Sequence, residues 1–297
     1  MKYVITGGAG HISKPLAGRL LAAGHDVTVI GRNAENLKTL MEKGAKAAIG
    51  SVEDVQFLTQ TFTGADAVYT MVPPNMNASD WKAYIAQIGA NYAEAIKASG
   101  VKYVVNLSSI GAHLPEGCGP VSGLYRVEAT LNELKDVRIK HLRPGYFFVN
   151  FLGNISMMKG MNMFGGNASS IDDKMVLSDT TDIAEAAAEE LLQLQFTGHS
   201  VRYLSSDERT PVDVAKTLGA AVGNPSLTYT EFNDDDMLNG LKGAGLSEEV
   251  AKNYTEMGTA MRARKMGEDY WKNRPQQLGK TKLEDFARQF AGVYSAS

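Results

Sequence analysis

Along the first half of this chain, short apolar and β-branched runs alternate with segments whose apolar residues recur at steps of three and four, the signature of strands followed by amphipathic helices. Residues 2–6 (KYVIT) read as a strand, 7–10 as a turn too rich in glycine for regular structure, and 15–23 as a helix. Further strands are expected at 26–30, 45–49, 67–71 and 103–107, with helices around 35–42, 55–62 and 79–99 between them. In the last of these helices Trp81, Ile85, Ile88, Tyr92 and Ile96 fall on one face and predict a buried stripe. A helix over 124–134 and a strand over 137–142 continue the series, while 111–121 is too irregular for an element. Right-handed crossovers between such units build one parallel, doubly wound α/β sheet with ligands at the carboxyl ends of its strands.

Beyond Arg143-Pro144-Gly145-Tyr146-Phe147-Phe148 the regular alternation stops. Residues 150–173 are rich in Met, Gly and Asn and read as irregular structure or short helix, with methionines suited to an adaptable apolar pocket or to gap-filling in a core. A capped helix is expected at 179–194, a strand at 200–204, a helix at 210–222, a strand-like alternation at 227–232, mostly helix over 234–266, and a last amphipathic helix at 282–290. The domain reading is therefore one parallel α/β domain over 1–150, to which 174–205 returns. Residues 151–173 and 206–297 form a second, smaller α/β lobe that packs over the strand tips and closes a cleft.

The order strand, glycine turn, helix is suited to holding an anion. Glycine lets the backbone turn sharply and approach a ligand, and the free N–H groups at the helix start point toward it with the helix dipole behind them. Gly7-x-x-Gly10-x-x-Ser13 is a variant of the dinucleotide fingerprint with its third glycine replaced, in the strand-to-helix context the motif requires. The second expected strand ends in Gly31-Arg32-Asn33. An acidic residue there would favour the ribose hydroxyls of NAD(H), whereas Arg32 favours the 2′-phosphate of NADP(H).

Composition narrows the classes. The chain has 297 residues, 44% hydrophobic and 21% charged, enough for a full core and ordinary for a globular protein. A net charge of −3 with scattered basic residues predicts no nucleic-acid binding. The single cysteine, Cys118, rules out an intrachain disulfide and a cysteine metal cage, which points to a reducing cytoplasm. The five histidines are never at ligand spacing, so no metal site is expected. The first expected strand leaves no room for a signal peptide, and no apolar run is long enough to span a bilayer.

Several separated stretches, ITGGAGHIS, VIGRNAENL, VVNLSSIGA, YRVEATLNELKDVRIKHLRPGYFFVNFL, LSDTTDIAEAAAEEL and TKLEDFARQFAGVY, together resemble the NmrA-like branch of the atypical short-chain dehydrogenase/reductases. The resemblance implies an NADP(H)-binding Rossmann domain with a small C-terminal lobe over the active cleft. It implies cofactor contacts from Thr6, Gly7, Gly10, His11, Ile12, Arg32, Asn33, Met71, Val72, Pro73, Ser108 and Tyr146. Ser108 falls on the nicotinamide side, and Tyr146 and Phe147 on the substrate side. The family includes NADPH-dependent quinone and other reductases as well as proteins that only sense the dinucleotide.

The chain departs from the reductase pattern in one respect. Short-chain reductases lower the pKa of a tyrosine with a lysine four residues later, and none of the twelve tyrosines here has one. Tyr125 occupies the corresponding helix with Ala129 in the lysine's place, so Tyr125 and Ser108 are the candidate proton donors. Three functions follow: an NADPH-dependent reductase of a quinone-like or other conjugated carbonyl small molecule, a noncatalytic NADP(H) sensor with a regulatory protein partner, or a nucleotide-sugar epimerase or dehydratase. A homodimer is the default assembly.

Overall fold

A computed structural model describes residues 1–297. The first half runs β1 (Lys2–Ile5), α1 (Ser13–Ala22), β2 (Asp26–Gly31), α2 (Ala34–Met41), β3 (Lys46–Ile49), α3 (Val55–Phe62), β4 (Ala67–Thr70), α4 (Trp81–Ser99), β5 (Tyr103–Leu107), α5 (Pro120–Leu131) and β6 (Arg138–Pro144). The second half runs β7 (Tyr146–Phe147), a 3₁₀ helix (Phe148–Asn154), α6 (Ile155–Met161), β8 (Phe164–Gly166), β9 (Met175–Ser178), α7 (Thr180–Gln193) and β10 (His199–Leu204). It ends with β11 (Asp207–Arg209), α8 (Pro211–Ala221), β12 (Tyr229–Glu231), α9 (Asp234–Gly243), α10 (Glu248–Arg262), α11 (Glu268–Lys272) and α12 (Leu283–Ala296).

Seven strands form one parallel sheet in the order β10-β6-β5-β4-β1-β2-β3. The chain winds outward from β1 to β3, crosses back to β4 and winds out the other way, so the direction reverses between β1 and β4. Both faces of the sheet are covered. On one, Leu16 and Leu20 of α1 and Ile183 and Leu191 of α7 pack on Ile5, Val29 and Tyr69. On the other, Phe62, Val127 and the stripe Trp81, Ile85, Ile88, Tyr92 and Ile96 pack on Val4, Val68 and Val104. Burial from both sides explains why these strands read as continuous apolar runs.

Polar groups inside the sheet are paired in a ladder. Thr70 Oγ1 donates to Asn106 Oδ1 at 2.9 Å, Asn106 Nδ2 donates to His141 Nδ1 at 3.1 Å, and His141 Nε2 meets Asn132 Oδ1 at 3.1 Å. Because Asn106 presents an N–H donor, Nδ1 is the acceptor and the imidazole proton sits on Nε2.

The smaller lobe has its own core, in which Phe148, Leu218, Phe286 and Phe290 are wholly buried. It contains a three-stranded sheet, β11-β9-β7, and a parallel pair, β12 and β8. Within 174–205, α7 packs on α1 and β10 pairs with β6, but β9, with all four residues buried, joins β7 and β11 in the lobe. The stretch 150–173 ends the 3₁₀ helix and contributes the short helix α6, as expected, and also a strand, β8, that was not. The helix expected from 124 begins at Pro120: Gly119 takes φ +57° at the cap and Pro120 fills the first helical position, so residues read as breakers start the helix. No helix is long and apolar enough to cross a membrane.

Candidate functional site

The glycine turn lies at the reversal between β1 and β4. Gly7 adopts φ +93°, and a Cβ there would collide with Ser13 Oγ and press on the Met71 side chain. The turn is pinned on both sides: Gly8 N donates to Ile30 O at 2.9 Å and Gly10 N to Gly7 O at 3.1 Å. Ser13 Oγ donates to Thr6 O at 2.8 Å, which ties the start of α1 to the end of β1 in the role a third glycine would fill by close packing. The N–H groups of His11, Ile12 and Ser13 donate to no protein acceptor, Ile12 supplies no side-chain cap, and the first turn of α1 has no acidic residue. The result is an uncompensated positive helix end beside a backbone with no Cβ in the way, which is an anion cradle.

Thr6, grouped above with the cofactor contacts, braces the turn. It is fully buried, its N–H donates to Tyr69 O at 3.0 Å, and its Oγ1 accepts from Met71 N at 2.9 Å. Tyr92 OH then donates to Met71 O at 2.6 Å, fixing the β4 tip that faces Gly7. Met71, Val72 and Pro73 line this edge half-buried. Arg32 is exposed at the end of β2 and enters no ion pair or hydrogen bond. Asn33 is occupied as the cap of α2, its Oδ1 accepting from Glu35 N at 2.8 Å.

Ser108 does not present a free hydroxyl. It is 4% exposed and its Oγ donates to Glu128 Oε1 at 2.5 Å. Glu128 in turn receives Arg143 in a two-pronged pair, Nε to Oε1 at 2.9 Å and Nη2 to Oε2 at 2.6 Å. Arg143 Nη1 also reaches Tyr203 OH at 2.9 Å and Asp269 Oδ2 at 3.4 Å, and Tyr203 OH donates to the same Asp269 oxygen. Burial and then the hydrogen bond to Asp269 push the Tyr203 phenol up to about 12. Sequence reasoning missed this network. Its signal was a carboxylate on the buried face of a helix and an arginine inside an apolar strand, positions where charges persist only when paired.

Tyr125 lies half-buried on α5, makes no hydrogen bond, and is not part of any wall described below. The cavity lies elsewhere. It has a volume of about 300 Å³ and opens between the β5 tip, represented by Ile110, the strands β7 and β9, and the segment joining α10 to α11. Tyr146, Met175, Val176, Met261, Met266 and Trp271 give it an apolar surface. The methionines in it come from outside 150–173; Met158 of that stretch sits in the lobe core and Met161 in solvent. Tyr146 OH has no hydrogen-bond partner in the protein, and burial, with a contribution from Tyr254 and Tyr229, holds its phenol far above the ordinary value. The wall formed by α11 is fastened to β6 of the large sheet by Asp269 on Arg143 and to β11 of the small one by Tyr270 OH donating to Glu208 Oε1 at 2.5 Å.

Known proteins are similar to this chain in sequence or in fold. An uncharacterized protein of Schizosaccharomyces pombe is 35% identical over 257 residues, covering 77% of this chain and 83% of that one. Among solved structures, Citrobacter triphenylmethane reductase in complex with NADP(H) superposes with a TM-score of 0.79 at 20% identity, covering 97% of this chain and 99% of that one. The NADPH-dependent quinone oxidoreductase of Escherichia coli in complex with NADPH superposes with a TM-score of 0.75 at 20% identity over the same shares. At such identity the two structures speak for the fold. The NmrA-like family model matches residues 2–287, almost the whole length, and the chain belongs to that family.

Proposed function

We propose that the protein is an NADPH-dependent reductase of a quinone-like or other conjugated carbonyl small molecule. The observation that carries this reading is the apolar cavity at the carboxyl edge of the sheet, which begins at the β5 tip and has one unpartnered hydroxyl, Tyr146, in its wall. The residues around Gly7 fit a dinucleotide. The free amides of His11, Ile12 and Ser13 match a pyrophosphate, the missing Cβ leaves room for it, and the unpaired Arg32 matches an adenosine 2′-phosphate. The complexes of the two reductases with NADPH and NADP(H) support the same cofactor. When bound, that cofactor supplies the hydride.

The chain's own residues then have three tasks. The apolar walls hold a flat substrate and exclude water. Tyr146, kept neutral by burial, donates a hydrogen bond to a substrate carbonyl oxygen and polarises it without giving up its proton. The α11 wall, bolted through Asp269, fixes the cavity's shape. Ser108 is held in the charge network and Tyr125 stands outside the cavity, so the proton that completes the reduction is taken from solvent as the reduced oxyanion reaches the open mouth.

Two titrations and an activity screen test the proposal. NADPH should bind about tenfold or more tighter than NADH, and Arg32→Ala should remove most of that difference. With simple quinones NADPH should be consumed, Tyr146→Phe should lower kcat about three- to tenfold, and Tyr125→Phe should change nothing. Equal binding of the two cofactors would remove the role of Arg32. The sensor reading is favoured by the absent lysine partner for any tyrosine, and tight NADPH binding with no turnover of any quinone or enone would establish it over the reductase.

A further inference from the structure

The mouth of the cavity differs from its walls. Three charged side chains border it: Asp173, Lys174 and Arg264. Arg264 grips Asp173 with two nitrogens, Nε to Oδ2 at 2.8 Å and Nη2 to Oδ1. Lys174 is exposed and has no hydrogen bond or ion pair. Two cations against one carboxylate leave the mouth net positive, on a chain whose overall charge is −3. The neighbouring carboxylates of α11 do not neutralise it, because Glu268 is paired with Lys272 at 2.7 Å and Asp269 is turned to Arg143. Asp172 is exposed and outside the cavity lining.

The backbone at Arg264 supports the same conclusion from different geometry. Just past the end of α10 it takes φ +61°, with Arg264 N bonded to Met261 O and Lys265 N to Ala260 O, the arrangement in which a helix normally ends on glycine. A side chain that only completed the fold would be better replaced by none. An arginine in that strained position places a guanidinium at the rim of an apolar cavity, where a ligand can use it.

Resting on the reading of this cavity as the substrate site, we infer that the substrate is a flat apolar molecule carrying one anionic group, a carboxylate or sulfonate, which lies at the mouth against Lys174 and Arg264. The apolar body sits on Met175, Met266 and Trp271. The anion takes the free ammonium of Lys174 and shares the guanidinium of Arg264 with Asp173.

Two fluorescent probes that differ only by an anion test this without turnover: anilinonaphthalene sulfonate and the sulfonate-free N-phenylnaphthylamine, titrated into the full-length protein with NADPH binding measured in parallel. The sulfonate should bind about fivefold tighter, with the margin shrinking as salt is raised. Lys174→Glu should reverse the preference. Arg264→Gly should abolish most of it while leaving Tm unchanged or higher, an outcome that a purely structural arginine would not give. Equal affinity for the two probes, no binding of either, or a preference that survives both substitutions would overturn the inference. If NADPH fails to bind while the probe preference holds, the reductase reading falls and the anion-selective cavity stands.

Discussion

Acidification from neutral pH to about 4 should cost this protein on the order of 3 kcal/mol through His141 alone. The ring is 1% exposed, accepts from Asn106 at Nδ1 and meets Asn132 through Nε2. Adding a proton at Nδ1 would set one N–H against another and put a charge in the dry interior of the sheet. Burial is the main reason its pKa falls to about 4; Glu128 pulls it back upward and Arg143 pushes it further down. Against an unfolded value of about 6.5, at about 1.4 kcal/mol per unit, the difference gives the figure above.

The sign follows from which state binds the proton. The folded ring stays neutral where the unfolded ring is charged, so this stability is fully present above about 6.5 and is lost as pH falls from there to about 4. Urea unfolding at a series of pH values reads the slope. His113, also lowered by burial, adds to the slope of the parent protein, so the decisive quantity is the difference between the parent and His141→Gln. That variant should be less stable at pH 8 and should flatten the dependence by up to one proton. A His141 imidazole resonance that titrates near 6.5, or the same slope in His141→Gln, would refute the reasoning.

Two further outcomes test the frame that carries the site. Glu128→Ala should destabilise by about 3–5 kcal/mol, since it leaves the Arg143 charge buried with only a partial partner in Asp269, whereas Glu128→Met together with Arg143→Met should cost far less; denaturant midpoints that add to within about 0.5 kcal/mol would show the pair does not act as a unit. Gly7→Ala forces a Cβ into Ser13 and Met71 at φ +93° and should lower stability by about 2–4 kcal/mol and weaken NADPH binding, both measured on the same preparation. An unchanged Tm with unchanged NADPH titration would mean the turn tolerates a side chain.

Much of the sheet could be read from residue order because two-sided burial makes β1, β2, β4 and β5 mostly apolar and β-branched, with only single polar residues such as Thr28 and Asn106 inside them, and because Asn33, Asp54 and Asp80 mark helix starts as side-chain caps. The misplaced start of α5 has a specific cause. Glycine and proline break structure and also open helices, and only the φ of Gly119 separates the two roles. The lobe was harder for a different reason. β7, β8 and β11 have two or three residues each, too short to display a period, and although the alternation at 227–232 marks β12, its partner β8 lies more than sixty positions back.

The same contrast separates the two halves of the candidate site. The anion cradle is made by contiguous residues, Gly7 to Ser13, whose order alone dictates their geometry. Ser108 occupies the tip of β5 as expected, yet what its hydroxyl does is set by Glu128 on α5 and Arg143 on β6, so strand position told its place and not its state. The cavity walls come from residues near 110, 146, 168–176 and 261–271, which meet only in three dimensions. One strap joins the two halves: Trp271 forms a cavity wall, while Asp269 on the same short helix is held by Arg143 and Tyr203. The shape of the cavity is therefore coupled to a buried charge network that reaches β6 of the parallel sheet, and substitutions at Asp269, remote in sequence from the glycine turn, should be felt in the cavity before they are felt at the turn.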